Sequence, residues 1–169
     1  MKTFKKTLIE LHACEDAMIW IGEKDFKTFY ETCERGDWLL WLYARTNKDD
    51  VKGLTLAKAH CANTVRHLMN DKRSTEAIDV AILFGEGKAT LEQLNAAASA
   101  ASSASSASYA SFAANADNAA AYAAYAANAA ASSASSAAKA ASFAQKQNQQ
   151  LTADICRKYL PIENFNINY

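Results

Sequence analysis

His60, Cys61 and His67 are the one place in this chain where a nucleophile and candidate bases cluster. A cysteine thiolate attacks electrophiles, and an imidazole can activate it or share a metal ion with it. The spacing argues against both uses. On a helix Cys61 lies about 100° round from His60, so the neighbouring ring does not reach its sulfur. His60 and His67 fall two turns apart on one face, not at the i, i+4 separation of zinc-binding helices. The expectation is therefore a structural helix with a buried Cys61, no catalytic residue, no metal and no cofactor. A small helical enzyme or metal protein built on these three residues is the rival reading.

The other cysteines, Cys14, Cys33 and Cys156, lie far apart in sequence without CxxC or other metal-ligand spacing, which predicts reduced thiols. Asp71-Lys72-Arg73 and Asp154 to Lys158 are the densest mixed-charge runs. A solvated surface is the default for each. The sharper expectation is that Arg73 or Arg157 reaches a buried carboxylate and ties two parts of the molecule together, because the guanidinium fork is bidentate. Trp38 and Trp41, at i and i+3, read as core.

Helices must position these residues. A single Pro and five Gly leave little punctuation, and no sustained β-branched alternation signals strands. Leu8, Leu11, Ala17, Met18 and Ile21 predict one amphipathic helix over about Thr7 to Ile21, stopped by Gly22. Thr28 and Glu31 have capping-box spacing, predicting a helix from Thr28 to near Gly36. Asp37 then caps the apolar run Trp38 to Ala44, and Asn47 to Gly53 closes it as a loop. The next helix is expected over Leu54 to Met69, with Leu54, Ala57, Cys61, Val65 and Leu68 inward. Ser74 or Thr75 caps Glu76 to Phe84, which Gly85 and Gly87 end. Thr90 and Gln93 form a second capping box.

Beyond it, residues 96–144 hold 27 Ala and 12 Ser, with Asp117 and Lys139 the only charges. Alanine is the strongest helix former but has little apolar surface to bury, so such helices favour close backbone approach. One helix from Leu91 to Gln150 would be about 90 Å long. A break at Asn115 to Asn118 is expected, since Asn and Asp suit turns and caps. Ala101-Ser-Ser-Ala-Ser-Ser-Ala107 recurs as residues 131–137, and Ser111-Phe112-Ala113 recurs at 142–144, which predicts an antiparallel hairpin. Within it, Tyr109 and Phe112, then Tyr122 and Tyr125, are paired at i, i+3. They read as core against the charged part or as partner-binding aromatics. Flat Ala-rich faces also suit ice binding, but the regular Thr repeat of that class is missing. Leu151 to Leu160 extends or restarts the helix, and Pro161 ends it before a short polar tail.

Eighteen basic and eighteen acidic side chains balance to zero, so no basic excess marks a nucleic-acid binder. No stretch approaches the roughly 20 apolar residues of a membrane span. Charged residues interrupt the apolar run after Lys2, Lys5 and Lys6, so no export signal is read. The expectation is a cytoplasmic protein. It forms a single all-α domain over residues 1–169, with a charged helical part at 1–95, the hairpin at 96–150, and a helix end and tail at 151–169.

One resemblance adds to this reading. The run Leu56-Ala-Lys-Ala-His-Cys61-Ala-Asn-Thr-Val65-Arg-His67-Leu68, then Asp71-Lys-Arg73, Glu76-Ala-Ile78 and Ala81, leads through Gly87 into Ala-rich helices. This order resembles the immunity proteins of bacterial polymorphic-toxin systems, over about Leu54 to Ala144. Trp38 to Leu42 and Ala153 to Pro161 resemble hypothetical proteins of phages and gut bacteria. Heavy Ser content and extra N-terminal helices depart from the family pattern. The resemblance implies an all-helical, non-enzymatic protein that binds and neutralises a toxin or effector, with Cys61, His67, Asp71 and Arg73 as its structural motif. The rivals are a phage-encoded modulator of a host defence or regulatory complex, and a self-assembling structural protein whose hairpin pairs with itself.

Overall fold

The computed structural model describes residues 3–69, 71–102 and 138–167. Among the described residues the chain is all-α, as its composition predicts, with no strand. The helices are α1 (Phe4–Glu10), α2 (Glu15–Ile21), α3 (Phe26–Thr32), α4 (Gly36–Thr46), α5 (Val51–Asn63), α6 (Lys72–Gly85), α7 (Leu91–Ser102) and α8 (Ala138–Tyr159). Short 3₁₀ turns follow α5 at Arg66–Leu68 and α8 at Ile162–Asn164. The predicted hairpin turn, most of the first copy of the serine repeat and all of the second lie outside the described residues, as do Tyr109, Phe112, Tyr122 and Tyr125.

The first predicted helix is two. α1 closes with paired bonds, His12 N–H to Ile9 O and Ala13 N–H to Leu8 O, each 3.0 Å. His12 takes the left-handed conformation this closure requires, at φ +61°. The turn folds α2 back so that Ile21 joins Phe4 and Leu8 in one core, which a straight helix could not do. α3 starts before Thr28, because the Asp25 carboxylate accepts the Thr28 N–H at 2.7 Å. That bond also holds the Asp25 carboxyl below its usual value. Starting there brings Phe26 into the helix and buries it beside Phe29 and Tyr30.

Gly36 opens α4 instead of ending α3. A Cβ at Gly36 would sit 2.6 Å from the Thr152 carbonyl carbon, so its absence lets α4 lie against α8. Asp37 is inside the first turn, paired with Arg35. Asp50, which accepts the Gly53 N–H at 2.9 Å and the Tyr43 hydroxyl at 2.5 Å, starts α5 one turn earlier than the hydrophobic stripe suggested. α6 is capped by Asp71, so Ser74 is a buried interior residue and not the cap. The Thr90–Gln93 box forms as predicted, with reciprocal bonds of 2.8 and 3.2 Å. α8 runs unbroken through Gln145 to Gln150.

α5 packs on α6 and α6 on α7, while α8 lies against α4 and α5. The main core unites Phe4, Ile21, Phe29, Leu39, Leu40, Leu42, Ala57 and Cys61 with Ala153 and Cys156 of α8. A second cluster, between α5, α6 and α7, is built largely of Ala59, Ala77, Ala81 and Ala101 around Phe84 and Leu94.

The tail is not merely polar. Phe165 plugs the main core, its ring 4.9 Å from Tyr43 and 5.6 Å from Tyr30, both edge-on. Asn47 holds the chain there, donating from its amide nitrogen to Asn164 O and accepting from Asn166 N–H at 3.1 Å. Tyr30 donates its hydroxyl to the Leu160 carbonyl at 3.1 Å.

Candidate functional site

The residues with chemical capacity gather where α5 meets α8. His60 is half-buried and lies flat on the Tyr159 ring, centroids 4.3 Å apart and planes 6° from parallel. The Lys158 ammonium sits 5.1 Å from the same Tyr159 ring. Burial, and then the charge of Lys158, lower the His60 pKa, with Glu86 opposing. The stack therefore favours a neutral imidazole.

Cys61, fully buried, turns from His60 and directs its thiol toward the Thr152 carbonyl at 3.8 Å. Cys156 lies beside it and donates to Gly36 O at 3.5 Å. Burial, and then the neighbouring Cys61 thiol, push the Cys156 thiol well above the ordinary value. Cys33, also buried, is pushed up to about 11 by desolvation. Thiols raised this way stay protonated and are poor nucleophiles.

The remaining motif residues separate. His67 is exposed on the 3₁₀ turn beyond the end of α5, so it shares neither helix nor surroundings with His60. Asp71 caps α6 through the Arg73 N–H at 2.9 Å and also binds the Arg73 guanidinium at 2.8 Å. That interaction is local and exposed. Arg157 does tie α8 to the N-terminal part, but through carbonyls rather than a buried carboxylate. It donates to Tyr30 O at 2.9 Å and to Cys33 O, and its ion pair with Asp154 is on the surface. Trp38 is half-buried, edge-on to Trp20 at 5.7 Å and under the Arg35 guanidinium at 4.7 Å. Among the described residues no three His, Cys, Asp or Glu side chains converge as metal ligands. No described helix is long and apolar enough to cross a membrane.

Two features escaped the sequence reading. One is an open cleft of about 360 Å³ at the α4–α5 loop, bordered by Arg45, Asn47, Lys48, Asp49, Asp50 and Asn166, where charges of both signs alternate. Its Asn166 wall comes from the tail, whose docking no local pattern signals. The other is Lys58, which is 0 % exposed and whose Nζ has no hydrogen-bond partner. The signal for it was present. Position 58 lies about 40° round from Leu54 on the helix, at the edge of the stripe of Leu54, Ala57 and Cys61, so a lysine borders the buried face of α5.

No protein-family model, curated protein or solved structure matches this chain.

Proposed function

We propose that this protein acts by binding another protein, as an immunity-type neutraliser of a toxin or effector. The observation that carries the reading is where the motif of the resemblance sits. Cys61, Val65, Ala77, Ile78 and Ala81 are buried between α5 and its neighbours, and Asp71 caps α6. The motif is thus spent on holding a helical scaffold together, and His60 is spent on the Tyr159 stack. A scaffold of this kind works through its surface. Large apolar side chains available for contact include Ile9 and Ile19 on α1 and α2, 58 % and 72 % exposed.

Affinity purification from the native host, with mass spectrometry of co-eluting proteins, tests the proposal. A stoichiometric toxin-like protein is expected, and Ile19→Asp should weaken its capture at least tenfold without unfolding the scaffold. Recovery of a defence or regulatory complex would favour the phage-modulator reading. Only this chain, at a size that grows with concentration, would favour self-assembly. Recovery of no partner, together with no self-association, would defeat the binding proposal.

A further inference from the structure

Among the described residues, Lys58 is the charged side chain that is fully buried without a hydrogen-bond partner. It sits mid-helix in α5 with 0 % exposure, and its Nζ has no partner. Thr55, one turn earlier on the same side of the helix, is 1 % exposed, and its hydroxyl is also unpartnered. Two adjoining buried polar groups without partners make this stretch of α5 the least satisfied place in the described interior. Transferring an ammonium from water into such surroundings is costly unless a counter-charge meets it.

No such counter-charge comes from the described elements packed on α5. In α4, Asp37 is paired with Arg35, and Arg45 lies over Trp41. In α6, Glu76 faces Lys72 at 3.4 Å, and Asp79 takes both arms of Arg66 at 2.5 and 2.8 Å. Arg73 binds Asp71 before it. In α8, Asp154 is paired with Arg157, Lys158 lies over Tyr159, and Lys146 is exposed. The Cys61 and Cys156 thiols point to the carbonyls of Thr152 and Gly36. At the N-terminus of α5 itself, Asp50 is occupied by Tyr43 and the Gly53 N–H. In α7, Glu92 is exposed, and after α6, Glu86 is paired with Lys88. On α5, His60 responds to Lys158 and Glu86, and Lys52 is exposed.

We propose that Lys58 makes the packing around α5 proton-sensitive: the closed fold favours the neutral amine, and taking up a proton weakens closure of the face that carries Thr55 and Lys58. The direction follows from linkage. Desolvation alone lowers the Lys58 pKa from 10.5 to about 7. Between those values the open form binds the extra proton and the closed form does not, so closure strengthens as pH rises through that window. Below about pH 7 the closed form carries the full penalty of the charge. His60, whose pKa lies below 6.5, acts in the same direction but only in more acidic solution, so the two windows are separable.

Amide hydrogen exchange of α5 in the whole protein, corrected for intrinsic rates, tests this at pH 6 and pH 9. Opening should be on the order of a hundredfold more populated at pH 6, the ratio given by pKa values near 7 and 10.5 in the two states. Lys58→Met, similar in length and uncharged, should remove most of that ratio and raise Tm at neutral pH. An unchanged ratio in the variant would overturn the proposal. Should the variant fail to fold, titration of the Lys58 side chain by NMR in the native protein decides. A midpoint near 7 supports the proposal, and an ordinary midpoint near 10.5 sinks it.

Discussion

The main core and the alanine layer solve the same packing problem with opposite materials. Around Phe4, Phe26, Phe29, Tyr30 and Phe165, rings meet at centroid distances of 5.4 to 6.2 Å, and short helices are held by bulk. Between α5, α6 and α7 the contact residues are Ala59, Ala77, Ala81 and Ala101, with Phe84 and Leu94 as the larger fillers. There the backbones come close: a Cβ at Gly85 would lie 2.5 Å from the Leu56 Cβ. Bulk stabilises through buried area, so it tolerates short helices of seven residues. Small side chains contribute little area each and rely on helix propensity and close fit, and α5, α6 and α7 are accordingly 12 to 14 residues long. The aromatic region is therefore sensitive to loss of volume and the alanine layer to its gain.

Truncation should hurt the aromatic side most. Phe29→Ala, at a position 4 % exposed and in contact with Phe4 and Trp20, is expected to cost about 3–5 kcal/mol in urea denaturation. A loss under about 1 kcal/mol would show that bulk is not what holds α1 and α3. Enlargement should hurt the alanine side. Ala81→Leu, at 0 % exposure, is expected to cost about 1–3 kcal/mol by forcing α5, α6 and α7 apart. A neutral result there would mean that the layer has slack and that its small residues are not a packing requirement.

The two regions also differ in how their helices end. α6 closes with Lys88 N–H to Leu83 O and Gly87 N–H to Phe84 O, with Gly87 at φ +76°. α1 closes by the same pattern, but with His12 in the left-handed place. His12→Gly should therefore stabilise the protein by up to about 1 kcal/mol, since a side chain with a Cβ is strained there. A decrease in stability would reveal a contact of the exposed imidazole that outweighs the strain.

Much of the helical content was legible because it rests on local chemistry. The Thr90–Gln93 box, the stop before Pro161 and the buried stripe of Leu54, Ala57 and Cys61 all follow from neighbours in sequence. Misreadings arose where two local signals competed. Asp25 displaced Thr28 as a cap, and Asp71 displaced Ser74, because the earlier acid lets an apolar or buried residue enter the helix. The candidate site was legible only in its parts. Adjacent placement sets His60 and Cys61 on different sides of the helix, yet nothing local says that the ring meets Tyr159 or that the sulfur meets Thr152.

By itself, then, the sequence determined an all-α chain, because capping groups, propensity and 3.6-residue periodicity act within a few residues. Tertiary structure decided the rest. It split the first helix at His12, brought Phe165 into the core, pointed Arg157 at carbonyls and enclosed Lys58 without a partner. Each of these depends on contact between segments far apart in the chain. Burial and desolvation are properties of the packed whole, and no window of neighbouring residues contains them.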